Sequence, residues 1–263
     1  MPAAIRLAAS GVVCLMTFAL GARPALAQDG YYVEAAGDYS PVEIGTANQL
    51  WQSGRVAAGW FEDGRSGWTA AVERQQRDRL VDWGAWTRGF RRTGDWTFSG
   101  GLGFGSDPTF SYRRSYEGEL ARKVVGAFVA QGGYRYLEFR QATVHLIQPA
   151  ATLYMPRGDV GARVFIVRNS TRGTTTGTLL VQGTVTVHPR VRLGGGGAYG
   201  ERIFDIASLA TPRAQSWVGF GYAHFTANRV WGIDVGLGRA HEDPYFSQRT
   251  LTVGVRRTFG HKP

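Results

Sequence analysis

The sequence predicts an all-β protein: a single-domain, closed, antiparallel transmembrane β-barrel of about 14 strands, with about 12 as the second choice. One observation is period-two alternation in the stretch 250–259, where Leu251, Val253 and Val255 share one face and Thr252 lies on the other. A second is composition, because 37 glycines and 13% aromatic residues accompany no apolar run of helical spanning length in the mature chain. The third is an N-terminal export segment.

That segment, residues 1–27, reads as a secretory signal peptide, which leaves 28–263 as the barrel domain. A basic start at Arg6 precedes a short apolar run that ends in the small-residue site Ala25-Leu26-Ala27. A transmembrane anchor is disfavoured because the run is short of the roughly 20 residues that a spanning helix needs. The single cysteine, Cys14, leaves with the peptide, so disulfides and thiolate metal sites are excluded from the mature chain.

The charge of the chain favours anionic partners. The formal net charge is +10, and removal of Arg6 and Arg23 with the signal peptide leaves +8. An exported basic protein meets lipid phosphates, lipopolysaccharide or acidic sugars rather than nucleic acid. We therefore expect outer-membrane lipids and lipopolysaccharide as partners.

Alternation and turn residues delimit the first seven strands. The first ends before Pro41, the second at the turn 62–65, and the fourth at the turn 92–95. The fifth is among the clearest, because Trp96 and Phe98 lie opposite small and hydroxyl residues. The predicted ranges are 31–39, 50–61, 66–75, 82–91, 95–105, 110–121 and 126–138.

The same signals delimit the last seven strands. The eighth ends before Pro156, the tenth before Pro189, and the twelfth at the turn 226–228. In the thirteenth, Trp231 and Ile233 alternate with glycine and aspartate. The predicted ranges are 141–154, 159–168, 178–188, 191–200, 215–225, 229–239 and 250–259.

The connections between these strands alternate in length, which is typical of an outer-membrane barrel with short periplasmic turns and long outer loops. Many even-numbered connections are tight, and an even strand count returns both termini to the periplasm. A secreted soluble β-sandwich, the alternative fold, has no reason to sort its loops this way. The long or polar odd-numbered connections are 40–49, 76–81, 169–176, 201–214 and 241–247.

Two stretches of the sequence combine strand and turn motifs that resemble those of a known family. Residues 132–169, GGYRYLEFRQATVHLIQPAATLYMPRGDVGARVFIVRN, contain a Tyr-Arg-Tyr strand, a strand ending near Tyr154, a tight turn and a strand with Arg163. Residues 101–124 contain a Gly-rich strand followed by an Asp-Pro bend. These stretches resemble the YaiO family of outer-membrane β-barrel proteins. The resemblance covers 31–259 and implies a barrel in the outer membrane of a Gram-negative cell, with no enzymatic activity and no catalytic residues to transfer.

The last strand departs from the usual pattern of such barrels. Phe259 stands where the barrel assembly machinery reads a terminal aromatic residue, but the tail 260–263 follows it. Arg257 also interrupts the apolar face of this strand. We expect the machinery to be a partner through Phe259, and the barrel to be a monomer.

Arginines inside predicted strands are candidate lumen residues. A charged side chain facing lipid near the midplane costs about 2–4 kcal/mol, so most should point inward. They either pair with strand carboxylates in a packed lumen or form a basic constriction that selects anions. The candidate arginines are Arg55, Arg74, Arg88, Arg113, Arg135, Arg163 and Arg256, and the candidate carboxylates are Glu73, Glu117, Glu119, Glu138 and Asp234.

No catalytic, cofactor or metal site is predicted. The cluster of His241, Glu242 and Asp243 near Ser247 is the one Ser-His-acid group of interest, and a solvated loop is the favoured interpretation. The four glycines from Gly194 lack the Gly-Lys-Ser/Thr ending of a phosphate loop, so they indicate a strand that needs small side chains. No two histidines have metal-ligand spacing.

Tryptophan and tyrosine near the strand ends are expected to form interfacial girdles. The residues are Tyr31, Tyr32, Trp51, Trp60, Trp68, Trp83, Trp96, Tyr154 and Trp217.

The function that follows is a non-enzymatic, integral outer-membrane barrel with a structural role, or one that passes or binds an anionic or sugar-like solute. The first alternative is an enzyme that modifies outer-membrane lipid or lipopolysaccharide. The second is the secreted soluble β-sandwich.

Overall fold

The computed structural model describes residues 30–62, 64–201, 215–228, 230–244 and 246–260. The predicted signal peptide, most of the connection 201–214 and the end of the C-terminal tail lie outside these residues. No helix capable of crossing a membrane occurs within the described part of the chain.

The structure is a closed antiparallel barrel in which each strand pairs with its sequence neighbours and β1 pairs with β14. The prediction of fourteen strands is confirmed. The strands are β1 Gly30–Ile44, β2 Ala47–Glu62, β3 Ser66–Arg77, β4 Leu80–Thr93, β5 Trp96–Ser106, β6 Arg114–Val125, β7 Phe128–Glu138, β8 Thr143–Met155, β9 Gly158–Asn169, β10 Thr174–His188, β11 Val191–Glu201, β12 Gln215–Thr226, β13 Trp231–Glu242 and β14 Phe246–Phe259.

Along most of β14, alternation places apolar side chains outside the barrel and small or polar side chains inside. In β14, Val253 is 46% exposed and Val255 is 40% exposed, whereas Thr250 is 7% and Thr252 is 9% exposed. A β-sandwich would bury the apolar face between two layers. The outward apolar face and the closed sheet therefore exclude the sandwich and fit a barrel surrounded by lipid.

Outward aromatic residues mark the two edges of this apolar band. Tyr31 and Tyr39 on β1, like Trp96 and Phe104 on β5, are exposed and separated by about eight residues. At ~3.3 Å per residue this is ~26 Å of strand, which fits a crossing of an apolar band about 25 Å tall.

Strand parity corrects part of the girdle prediction. Tyr32 is 6% and Trp51 is 3% exposed, and both point inward. Tyr154 lines the lumen. Neighbouring residues of a strand face opposite sides, so only one of Tyr31 and Tyr32 can reach lipid. The expected residues with large outward exposure are Tyr31, Trp68, Trp83, Trp96 and Trp217.

We call the end that carries the chain termini the turn end and the opposite end the loop end. Two predicted loops, 40–49 and 76–81, are wrong, because their strands continue as hairpins that turn at 45–46 and 78–79. Gly45 and Asp78 adopt positive φ there, of 60° and 53°, which a two-residue hairpin turn requires. Backbone pairing persists past the apolar band and replaces the irregular loops expected.

Arg257 points outward at the turn end rather than into the lumen. Its guanidinium lies 5.4 Å from the ring centroid of Trp231 and 4.9 Å from that of Phe259. The interruption of the apolar face therefore lies among girdle aromatics, where cation–π contact and nearby water lower the cost of the charge.

Candidate functional site in the barrel lumen

The lumen is divided into a filled half at the loop end and an open half at the turn end. The filled half contains a cluster of buried apolar side chains, which we call the plug cluster. Because its members point inward from most strands, they close the lumen at that end within the described residues. The plug cluster comprises Val42, Trp51, Tyr112, Leu137, Val144, Leu146, Phe165, Val167, Leu180, Ala198, Val218, Ala240 and Phe246.

The connection between β5 and β6, residues 107–113, folds into this end of the lumen. The carboxylate of Asp82, 3% exposed, accepts hydrogen bonds from the backbone N–H groups of Thr109, Phe110 and Ser111 at 2.8, 2.9 and 2.8 Å. Hydrogen bonds to a buried charge are among the stronger ones in proteins. Asp82 therefore acts as a latch for the segment, and the predicted start of the sixth strand at residue 110 is wrong.

Arg77 adds a second contact to the same segment. Its guanidinium lies 4.7 Å from the ring centroid of Trp51 and 4.3 Å from that of Phe110. A planar guanidinium stacks on aromatic faces, so Arg77 joins the segment to the plug cluster.

Glycines on β5 make room for the inserted segment. A Cβ at Gly103 would lie 2.9 Å from the ring of Tyr112, and one at Gly105 would overlap the backbone of Tyr112. Larger residues at these two inward positions would expel Tyr112 from the lumen.

The open half is a cavity of about 1030 Å³, which we call the lumen cavity. Its wall reaches the turn-end connections at Gly126 and Pro189, and its inner end is formed by Tyr112, Phe165 and Leu180 of the plug cluster. The lumen cavity is therefore blind: it opens at the turn end and stops at the plug.

Glu34 organises the wall where the barrel closes. It is 5% exposed and accepts hydrogen bonds from Arg55 on β2 at 2.8 Å and from Arg256 on β14 at 2.6 Å. The guanidinium of Arg256 also lies 4.6 Å from the ring centroid of Tyr32. One buried carboxylate is thus shared by two cations from strands at opposite ends of the sequence.

Glu117 and Glu119 on β6 organise the opposite wall. Glu117 lies 3.2 Å from Arg88 and 3.7 Å from Arg135, while Glu119 lies 2.7 Å from Arg163. Arg135 is the direct cross-strand partner of Glu117, whereas the contacts to Arg88 and Arg163 pass over intervening strands at Gly101 and Gly133. A Cβ at Gly101 would lie 2.8 Å from Oε1 of Glu117.

Five of the seven candidate arginines lie in the lumen cavity, and two do not. Arg74 has the parity of the exposed Val72 and bonds Gln76 on the same outer face at 2.8 Å. Arg113 lies in the connection 107–113, outside any strand. The arginines lining the cavity are Arg55, Arg88, Arg135, Arg163 and Arg256.

Four of the five candidate carboxylates also line the cavity. The exception is Glu138, which faces the exposed Arg114 at 4.0 Å, outside the lumen. Glu73 lies on the cavity wall and accepts a hydrogen bond from Gln75 at 3.0 Å. The carboxylates lining the cavity are Glu73, Glu117, Glu119 and Asp234.

Sequence reasoning missed further cavity residues that strand parity could have identified. Arg192 on β11 lies 3.0 Å from Asp159 on β9 and donates to Thr184 on β10. His224 lies 2.9 Å from Asp234, its cross-strand partner. Each of these side chains lies an even number of residues from other inward-facing positions on its strand, so alternation alone places it inside the barrel.

The mouth of the lumen cavity carries three further cations, which we call the basic rim: Arg92, Lys123 and Arg190. Among the described residues, no ion pair involves any of them. The arginines of the wall are balanced by carboxylates, whereas the rim has only Asp95 beside its three cations. The excess of positive charge therefore lies at the mouth, at the turn end of the barrel.

The structure also places the glycine run of β11 and the predicted Ser-His-acid cluster. Gly194 and Gly196 point inward, and a Cβ at Gly194 would overlap the ring of Tyr222, so this part of β11 needs small residues. His241 bonds Asp243 at 2.9 Å, and Ser247 lies opposite His241 in the strand register. Within the described residues no hydrogen bond joins Ser247 to His241, and no group of three His, Cys, Asp or Glu side chains could hold a metal ion.

Solved structures similar to this chain are outer-membrane barrels at low sequence identity. The translocator domain of the autotransporter NalP from Neisseria meningitidis has 12% identity and a TM-score of 0.57, covering 95% of this chain and 97% of that one. The P. putida toluene transporter TodX has 11% identity and a TM-score of 0.58, covering 92% and 94%. KdgM porin in complex with disordered oligogalacturonate has 11% identity and a TM-score of 0.52, covering 86% and 99%. At these identities the likeness shows the fold alone.

No match was found among curated protein sequences. The model of the YaiO membrane beta barrel domain matches residues 89–200. This range contains both stretches on which the resemblance was based, and the outer-membrane location agrees with the similar structures. The predicted resemblance to the YaiO family is therefore confirmed over residues 89–200, and the protein is an outer-membrane β-barrel.

Proposed function

We propose that the protein is a non-enzymatic barrel that binds an anionic, sugar-like solute in the lumen cavity, entering from the turn end. The observation that carries this proposal is a blind cavity of about 1030 Å³ whose mouth holds more cations than carboxylates. Ligand sites of small molecules occupy about 300–1,000 Å³, so the cavity accommodates several sugar units.

The chemistry of the wall favours a charged carbohydrate. Guanidinium groups recognise carboxylates, sulfates and phosphates through paired N–H donors. Trp86 and Tyr222 add aromatic surface, and Thr184 and Gln131 add hydroxyl and amide groups. A polar wall with aromatic patches suits a solute that carries both hydroxyls and negative charge.

Short turns and both termini at one end support a periplasmic mouth. A periplasmic solute would meet the basic rim before it reaches the wall pairs. Passage across the membrane then requires the segment 107–113 and the plug cluster to move. Binding without passage is the state that this arrangement favours.

The test is calorimetric titration of the purified barrel with oligogalacturonate, an acidic oligosaccharide, and with a neutral oligosaccharide of equal length. We expect binding of the acidic probe that weakens with salt and falls at least tenfold in the variant Arg92→Gln/Lys123→Gln/Arg190→Gln. The matched control is Arg91→Gln/Arg122→Gln, which removes two outward cations from the same end. Equal binding of neutral and acidic probes contradicts the anionic solute.

Conductance in planar bilayers tests the blind lumen separately. The wild-type barrel is expected to give no resolvable conductance steps. Stable ion-conducting steps in the wild type would show an open passage and contradict the closed state.

A further inference from the structure

Two arginines face each other on the outer surface of the barrel at the loop end. Arg239 on β13 is the direct cross-strand partner of Arg249 on β14, and both are exposed. Each has the parity of the lipid-facing leucines on its strand, Leu237 and Leu251. The Cβ atoms of directly opposed residues lie about 4.5–5.5 Å apart, so the two cations share one patch of surface.

This pairing is unfavourable without an anion. Like charges directly opposite each other destabilise a sheet. Among the described residues, no ion pair includes either arginine. A phosphate held between the two guanidinium groups would convert their repulsion into two charge-assisted, paired hydrogen-bond contacts.

The surroundings of the pair indicate an amphiphilic ligand. Toward the loop end, the guanidinium of Arg239 lies 5.7 Å from the ring centroid of Trp217, an exposed girdle residue. Toward the midplane, the next outward residues are Leu237, 66% exposed, and Leu251, 42% exposed. The boundary between headgroups and acyl chains therefore passes at the arginine pair.

We propose that Arg239 and Arg249 form a clamp for the phosphate of a phosphorylated glycolipid in the outer leaflet. The short turns and the termini lie at the opposite end, so the clamp is on the outer side of the membrane. The phosphate lies between the guanidinium groups, and acyl chains of the same lipid lie over Leu237 and Leu251. This site is on the outside of the barrel and is independent of the lumen cavity.

Native mass spectrometry of the full mature barrel in detergent tests the clamp. The probes are bis-phosphorylated lipid A, the same lipid with both phosphates removed, and inorganic phosphate. The wild type is expected to retain lipid A at least tenfold more tightly than the dephosphorylated lipid. Arg239→Gln/Arg249→Gln should lose this preference, and Arg239→Lys/Arg249→Lys should keep part of it, because lysine retains charge without the paired donors.

The matched control is Arg91→Gln/Arg122→Gln, which removes two exposed outward arginines at the turn end. Heat-modifiable migration on gels verifies that every variant is folded, so a lost preference reports binding alone. Equal retention of the two lipids, unchanged preference in Arg239→Gln/Arg249→Gln, or an equal loss in the control overturns the clamp. Complete displacement of lipid A by millimolar phosphate assigns the pair to the free anion and also overturns it.

Discussion

The two halves of the lumen use the same inward-facing strand positions for opposite purposes. On β9, the inward residues at the turn end are Asp159 and Arg163, and those at the loop end are Phe165 and Val167. On β8 the order reverses with strand direction, from Val144 at the loop end to Gln148 nearer the middle. Hydropathy thus changes along the inner face of β9, whereas its outward residues from Val160 to Ile166 stay apolar.

This difference shows how the lumen of a barrel with a fixed number of strands can be closed at one end. The closed sheet satisfies the backbone in both halves, so side chains alone decide whether the interior fills or stays open. Apolar residues stabilise the loop-end half by excluding water from one another. Paired charges in the turn-end half remain partly hydrated, which lowers their desolvation penalty and leaves the space unfilled by side chains.

The largest expected change in the state of the lumen comes from removing the latch of the plug. Asp82→Ala leaves three N–H groups of the segment 107–113 without their carboxylate, which costs about 3 kcal/mol or more if they stay buried. We expect the segment to leave the lumen and the barrel to show conductance steps in planar bilayers that the wild type lacks.

Asp95→Ala is the matched control for the latch, because Asp95 is an exposed carboxylate at the mouth of the lumen cavity. This variant should give no conductance steps. If folded Asp82→Ala, verified by heat-modifiable migration on gels, gives no conductance steps, the remaining plug cluster closes the lumen without the latch.

The barrel itself could be predicted from the sequence because alternation is a local signal repeated in every strand. The continuation of β1 to Ile44 could not, since Pro41 and the polar residues after it look like a loop. Pairing with β2 overrides that local preference.

The lumen could be predicted only in part. Opposite charges at inward positions of neighbouring strands, such as Glu117 and Arg135, were among the predicted lumen residues and are direct cross-strand partners. The plug could not be predicted from the sequence, because Phe110 and Tyr112 flank a serine in the alternating pattern that is typical of a strand. Their actual role depends on Asp82, which is distant in sequence. Arg74 points outward because it continues the face of Trp68 and Val72, which are exposed on the same strand.

A pair of tryptophan substitutions should separate the two halves by stability. Trp51 is 3% exposed and packs 5.8 Å from Phe246 between ring centroids, so Trp51→Ala should cost about 3–5 kcal/mol. Trp86 lines the lumen cavity, where water replaces the lost ring, and Trp86→Ala should cost about 1–2 kcal/mol. Urea titration of the barrel refolded in lipid vesicles measures both. A similar loss from both variants would contradict the division into a filled and an open half.

The smallest expected loss of stability comes from Gly101, whose missing side chain leaves space for the carboxylate of Glu117. A Cβ at Gly101 would lie 2.8 Å from Oε1 of Glu117 and 3.0 Å from the carbonyl oxygen of Thr87, so Gly101→Ala must displace the carboxylate that holds Arg88. We expect a loss of about 1–2 kcal/mol in the same urea titration, offset in part by the conformational entropy that glycine adds to the unfolded chain.

Gly132→Ala is the matched control, because nothing lies within 4 Å of its Cβ position and β-strand conformation accepts alanine. It should be neutral or slightly stabilising, within about 0.5 kcal/mol. In a Glu117→Gln background the penalty of Gly101→Ala should shrink, since the added methyl group then no longer displaces a carboxylate shared by two arginines. If Gly101→Ala loses the same free energy of unfolding in that background, the loss comes from contact with the carbonyl oxygen of Thr87. Gly101 is then required for close packing of the strands and not for the position of Glu117.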